Sequence, residues 1–338
     1  MKRFATLVLT LAMLLTLATG CGGKAADSGS TPSGEAGVTS IGDANDVYYM
    51  ISYLSTLEFW DDAIRGFEDA AAIYGAQTQY TGAPGVDAAA QITVLEQVMA
   101  TNPAGIAITC CDATALEDTI NKAIAQGIEV VCFDADSAGS NRYSILQTGN
   151  ETAGEMLADT TAMALGEKGE VAICFSVGSP THEARAAGIR NGIAKYSGMK
   201  VVAESNYDGE QTDAASVAAA LIQGNPNLDA IFVTNANGAL GAAAAVREAG
   251  KTDTIKVIGF DTDGGMFEAI DNGEIFCTAK QGAYSMGFWS MQFLFCVKND
   301  LVNPVDGWRE KGLNPLPVSV DTGVTIVDKD NLAAYYSK

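Results

Sequence analysis

Two carboxylates stand where a ligand of a parallel sheet would bind. Asp134 closes the run Val131-Cys132-Phe133, and Asp261 closes Ile258-Gly259-Phe260. Each run is too continuously apolar for a half-exposed strand and fits a strand covered on both faces. Ligands of such sheets sit beyond the carboxyl ends of the strands. The two ends lie far apart in the chain, which predicts one in each of two similar lobes facing a shared cleft. A neutral polyhydroxy molecule suits such a cleft, because a carboxylate can accept hydrogen bonds from two neighbouring hydroxyls.

The elements that position these ends alternate regularly. Val47–Ser52 reads as a first strand, followed by a helix with Phe59, Ala63, Phe67, Ala70 and Ile73 at helical spacing. Strands at 77–80, 105–109, 129–133 and 145–148 follow, with helices between the earlier ones. Gly149-Asn150 then marks a boundary, after which the alternation restarts with a helix over 152–165. Strands are expected at 171–175, 201–205, 230–234, 256–260 and 277–280, separated by helices at 183–195, 212–223, 238–248 and 265–272. The helix 284–297 is expected to cross back and pack on the first lobe. A third crossing is placed in the Pro-containing stretch 304–317, so that a last strand, 318–327, rejoins the second lobe. The fold class is therefore α/β, with two doubly wound parallel-sheet, Rossmann-like lobes joined by a three-segment hinge. The expected lobes are 46–148 plus 282–302 and 149–281 plus 303–338.

Lys2 and Arg3 precede an apolar segment from Phe4 to Ala18, shorter than the roughly 20 residues of a membrane span and ending on Ala18-Thr19-Gly20-Cys21. Residues 1–20 are thus expected to be a cleaved signal peptide. Residues 21–45 are rich in Gly, Ser, Ala and Thr and read as a flexible tether. The rest of the 338 residues favours two domains of about 150 residues each. A formal net charge of −21 argues against nucleic acid as a partner, since phosphate binding draws on clustered Lys and Arg.

Little points to catalysis or metal. Six cysteines follow Cys21, several of them inside apolar strand runs, with no Cys-x-x-Cys pair, and His182 is the sole histidine. Gly250-Lys251-Thr252 follows a helix instead of opening one, so it reads as a helix stop and not as a phosphate loop. Gly-x-Gly-x-x-Gly and Gly-x-Ser-x-Gly are both missing. No cofactor or metal is expected. An enzyme using Asp134 and Asp261 as an acid/base pair is the catalytic alternative, and it would need a carboxylate spacing suited to glycoside hydrolysis.

The leader ending at Cys21 resembles bacterial lipoprotein precursors, in which that cysteine is lipidated and becomes the mature N-terminus. From about Asp46 onward the chain resembles the ribose-type family of sugar-binding proteins that feed ABC importers, the type I periplasmic binding proteins. The matching stretches are Val257-Ile258-Gly259-Phe260-Asp261, Phe232-Val233-Thr234-Asn235, Glu183-Ala184-Arg185-Ala186-Ala187-Gly188 and Lys280-Gln281. The resemblance nominates Asp134, Arg185, Asn235, Asp261 and Gln281 for sugar hydroxyls. Phe59 and Trp60 match an aromatic pair that stacks on the sugar ring, and Tyr207 an aromatic from the second lobe. Ala135 stands where ribose-like members carry arginine, and Leu57 ahead of Glu58 where they carry asparagine, which points away from ribose itself. Asp136, Glu58 or His182 are then candidate replacement ligands, for another pentose, a hexose, a deoxysugar, a polyol or a furanose-like signal. The resemblance implies a monomeric, extracytoplasmic binding protein, anchored to the membrane through Cys21 alone, whose partners are a monosaccharide-like ligand and ABC permease subunits. A receptor of the same fold that presents its ligand to a membrane sensor kinase or chemoreceptor is the second reading.

Overall fold

The computed structural model describes residues 41–336; the expected signal peptide, Cys21 and nearly all of the tether lie outside them. The chain alternates strand and helix from the start: β1 (Val47–Ser52), α1 (Phe59–Tyr74), β2 (Gln77–Gly82), α2 (Ala88–Met99), β3 (Gly105–Ile108), α3 (Glu117–Ala125), β4 (Glu129–Phe133) and β5 (Ile145–Gln147). A second series follows: α4 (Asn150–Ala164), β6 (Lys168–Phe175), α5 (Pro180–Ala194), β7 (Gly198–Asn206), α6 (Gln211–Gly224), β8 (Leu228–Val233), α7 (Ala236–Glu248), β9 (Lys256–Phe260), α8 (Met266–Asp271) and β10 (Cys277–Gln281). The last elements are α9 (Ala283–Lys298), β11 (Ser319–Asp321) and β12 (Val324–Asp328).

These strands build two six-stranded sheets, ordered β11-β5-β4-β3-β1-β2 and β12-β10-β9-β8-β6-β7. The first is parallel throughout. In the second, only β12 runs antiparallel, against β10. Helices cover both faces of each sheet, which is why inner strands such as β3, β4 and β8 are apolar along most of their length, whereas the edge strand β2 carries Gln77, Thr78, Gln79 and Thr81. Alternate residues of β4 go to opposite cores: Val131 and Phe133 pack with Trp60 and Phe67, while Val130 and Cys132 pack with Leu95 and Ile120. β8 divides likewise, with Ala230 and Phe232 on one side and Ile231 and Val233 on the other. The six cysteines after Cys21 are free, and Cys110, Cys132, Cys174 and Cys277 are buried in these cores.

As expected, α9 crosses back to the first lobe, where Met286, Met291 and Leu294 join the core beside Trp60 and Phe67. The C-terminal segment differs from expectation. Val302, Trp308 and Leu316 pack on Val297 and Tyr143, on the side of the first sheet. The anticipated strand 318–327 is two strands, and β11 pairs with β5 in the first sheet before β12 joins the second. Segment 303–338 is therefore not confined to the second lobe. The break falls at Asp321-Thr322-Gly323, where Asp321 Oδ1 accepts the N–H groups of Gly149 and Gly323, both at 2.8 Å, and Gly323 takes a φ of 76°. That short turn ties two of the three lobe crossings together, and glycine meets its positive φ without steric cost.

Candidate ligand cleft between the sheets

The two Phe-Asp ends are alike in backbone. Asp134 donates its N–H to Leu146 O at 2.9 Å and Asp261 to Ala279 O at 3.0 Å, so each extends its sheet by one bond. Each then takes a left-handed conformation, with φ of 57° and 65°, which turns the chain out of the sheet at the carboxylate. Non-glycine residues adopt this region at a cost, and it clusters at functional sites. Thr278 Oγ1, donating to Asp261 O at 2.7 Å, helps to hold the second turn.

Around Asp261 a closed polar cluster forms. Arg185, 4% exposed, donates from Nε to Asn150 Oδ1 at 2.9 Å, and from Nη1 to Thr234 O at 2.8 Å and Asp261 Oδ2 at 3.4 Å. Its guanidinium lies 4.4 Å over the ring of Phe260. Arg185 and Asn150 meet because α5 crosses close on α4: a Cβ at Gly188 would collide with Glu151 O, and one at Gly154 with Arg185 O. Gln281 Nε2 donates to Asp261 Oδ1 at 2.6 Å while its Oε1 accepts from Thr148 Oγ1 at 2.7 Å. His182 Nδ1 is 2.6 Å from Thr234 Oγ1. Burial, and then Arg185, hold the imidazole below its ordinary range, with Asp261 pulling the other way.

Asp134 is the exception to this satisfaction, with no side-chain hydrogen bond among the described residues. Burial pushes its carboxyl up to about 6; Arg185 pulls the other way and Asp261 adds to the rise. The Tyr53 hydroxyl is raised by burial and then by Asp134, which places a second polar group on this side of the cleft.

Four nominated residues have structural parts. Trp60 is 2% exposed and in the core; its Nε1–H donates to Tyr53 O at 3.0 Å and Leu54 O at 3.2 Å, pinning the loop after β1. It packs perpendicular to Phe59, Tyr53 and Phe133, and buried among them it offers no face to a sugar. Tyr207 is fully buried and donates its hydroxyl to Asn235 Oδ1 at 2.8 Å. Asp136 turns away into a two-pronged ion pair with Arg142, at 2.7 and 2.5 Å, whose Nη1 also reaches Val318 O. Asn235 caps α7 by accepting from Gly238 N–H at 2.7 Å.

The cleft opens into a cavity of about 800 Å³, walled by Phe59, Asp261, Gln281 and Lys280 together with the loop after β9 and residues 334–336. Asp134, Arg185 and Asn235 are not in that wall, so the cavity joins the polar cluster only at Asp261 and Gln281. Lys280 Nζ crosses between the lobes to Asp62 Oδ2 at 2.6 Å. Thr148, Asn150 and Asp62 escape a motif search, while Thr234 lies inside the Phe232-Val233-Thr234-Asn235 match without being nominated. Asn150 and Thr148 do flank the Gly149 lobe boundary, a position from which both can reach the cleft.

Residues 47–297 match the periplasmic binding protein domain family. The D-allose-binding periplasmic protein of Escherichia coli is 30% identical over 73% of this chain and 83% of its own length. The sugar-binding protein of a sugar ABC transporter from Bacillus halodurans superposes with a TM-score of 0.82 at 39% identity, covering 86% of this chain and all of that one. AraP, an arabinose-binding protein from Geobacillus stearothermophilus, gives the same score and identity over 86% of this chain and 99% of its own.

Proposed function

This chain belongs to the periplasmic binding protein family, and we propose that it captures a monosaccharide-like ligand outside the cytoplasm and delivers it, without chemical turnover, to the transmembrane subunits of an ABC importer. The observation that carries this reading is the pair of strand-end carboxylates, Asp134 and Asp261, one from each sheet, with Arg185, Gln281 and Phe59 beside them. Ring hydroxyls can donate to both carboxylates and accept from the amide and guanidinium, and Phe59 offers an apolar face to the C–H side of a sugar. Asp261 is clamped by Arg185 and Gln281, which suits accepting hydroxyls better than cycling a proton. The relatives and structures named above are themselves described as sugar-binding proteins. Phe59, Asp134, Arg185, Asn235, Asp261 and Gln281 are the proposed ligand contacts, with Trp60 packed on Phe59 and Tyr207 bonded to Asn235, while Asp136 is left to its ion pair with Arg142. A monomer tethered through a lipid on Cys21 fits the leader sequence. Two lobes joined by three strand crossings can close on the ligand by hinge bending.

The test is a thermal-shift screen of the purified protein against pentoses, hexoses, deoxysugars and polyols, with calorimetry on the hits and on Asp261→Ala. A ligand at about 100 times its dissociation constant adds roughly 2.7 kcal/mol, a rise of several degrees. We expect at least one sugar to bind without product formation and Asp261→Ala, still folded, to bind it at least tenfold more weakly, as befits a charge-assisted contact worth roughly 1.5–3 kcal/mol. Unchanged affinity in folded Asp261→Ala would overturn the placement of the site.

A further inference from the structure

Charge is distributed very unevenly over this cleft. Six carboxylates, Glu58, Asp61, Asp62, Asp261, Asp263 and Glu268, wall the cavity against two cations, Arg65 and Lys280. Both cations are committed to one acid: Lys280 Nζ lies 2.6 Å from Asp62 Oδ2 and Arg65 Nη2 2.7 Å from Asp62 Oδ1. The third cation, Arg185 at the deep end, is bound to Asp261, Asn150 and the Thr234 carbonyl. Among the described residues Glu58, Asp61, Asp263 and Glu268 have no ion-pair partner. Two of them oppose each other from different lobes: Asp263 is held above its ordinary range by burial, then by Asp261, and then by Glu58 across the opening.

An entering anion therefore meets four carboxylates that lack an ion-pair partner, while the two cations of the wall already share Asp62 and Arg185 already faces Asp261; a neutral ring meets the same groups as hydrogen-bonding partners only. Like charges brought together in a closing cleft are costly, and such repulsion is a means of rejecting wrong partners. An ammonium group would instead find Glu58 and Asp263 on either side of it. We propose that this cleft sorts sugars by charge, admitting neutral sugars and amino sugars and rejecting uronates and sugar phosphates, with Glu58 and Asp263 setting the rejection. The inference rests on the sugar-binding reading above and narrows its ligand class.

Calorimetry tests it with matched sets: D-glucose beside glucosamine, glucuronate and glucose 6-phosphate, D-galactose beside galactosamine and galacturonate, and D-ribose and D-arabinose beside their 5-phosphates. For every neutral sugar that binds, the anionic derivative is expected to be weaker by at least roughly 100-fold at low salt, and the amino derivative to fall within roughly tenfold of the parent. Size alone could weaken a derivative, so the deciding readout is the ratio of neutral to anionic affinity. That ratio should fall at least about tenfold in Glu58→Gln/Asp263→Asn, and should fall in the wild-type protein as salt rises. Salt needs no variant, so the proposal stays testable if the double substitution fails to fold. An anionic derivative bound within about threefold of its parent, or a ratio that moves with neither salt nor variant, overturns charge sorting and leaves sugar binding standing. Failure of every neutral sugar to bind overturns the sugar-binding reading itself, and this inference falls with it.

Discussion

Asp134 and Asp261 are twins in sequence and in backbone, each after a buried phenylalanine, each at positive φ, each extending its sheet by one hydrogen bond. Their carboxylates live differently. Asp261 is met by Arg185 and Gln281, both fixed by the second lobe and the hinge. Asp134 has no such donor among the described residues, and Arg142 of its own lobe is committed to Asp136 and Val318 O. The difference teaches that one half of the site is preassembled in the protein while the other is not; on the function proposed above, the ligand's hydroxyls would supply the donors that Asp134 lacks.

The largest effect should come from dismantling the preassembled half. Arg185→Leu removes the partner of a carboxylate whose side chain is 15% exposed and frees the Thr234 carbonyl. Breaking a buried pair from one side costs about 3–5 kcal/mol, and we expect a loss of that order in urea denaturation, together with loss of detectable sugar binding. Arg185→Lys should recover little, since one ammonium cannot reach Asn150, Thr234 and Asp261 at once. A stability loss under about 1 kcal/mol in Arg185→Leu would mean that Asp261 is not held as described.

The unsatisfied half should respond with opposite sign. Burial pushes the Asp134 carboxyl up to about 6 in the folded chain, from an ordinary value of 3.8. A carboxyl raised on folding contributes stability that is complete below about 3.8 and is lost as pH rises through about 6. Ionising it in place costs roughly 3 kcal/mol as an upper estimate, because the group is partly exposed. Asp134→Asn should accordingly stabilise the unliganded protein by on the order of 1–3 kcal/mol at pH 7.5 and by nothing near pH 3.5, read by denaturation at both values. Sugar affinity in the wild type should fall as pH drops from 7 to 5, since hydroxyls prefer the ionised acceptor, and Asp134→Asn should bind weakly and without that dependence. If the variant is no more stable than the wild type at pH 7.5, the twins are equivalent after all.

Much of this comparison was legible in the sequence. Apolar runs ending on Phe133-Asp134 and Phe260-Asp261 are local signals, and the restart at Gly149-Asn150 and the return of the helix after Gln281 follow from the same alternation. Facing was not legible. Whether Trp60 or Phe59 meets the cleft depends on how α1 is phased by the loop that Trp60 itself pins at Tyr53 and Leu54. Asp136 looked free because its partner Arg142 is brought back only by the fold of the intervening loop. The exchange of sheets between β11 and β12 was hidden inside one strand-like stretch rich in valine, with Asp321-Thr322-Gly323 as its mark, and that turn has meaning only beside Gly149.

The smallest effect probes how the hinge reaches the preassembled half. Thr148, 3% exposed at the first crossing, donates to Gln281 Oε1 at the second, and the same amide donates to Asp261. Thr148→Val keeps the shape and leaves Oε1 without that donor, at a cost of about 1 kcal/mol. If the Gln281 amide is oriented by this bond, its flip or rotation would withdraw a donor from Asp261, and sugar affinity should fall by about three- to tenfold, as loss of one hydrogen bond allows. Arg185 would still hold the other carboxylate oxygen, which is why the effect stays below that of Arg185→Leu. An unchanged affinity alongside the expected stability loss would place the whole orientation of Asp261 on Arg185, and would separate the hinge from the clamp that it joins.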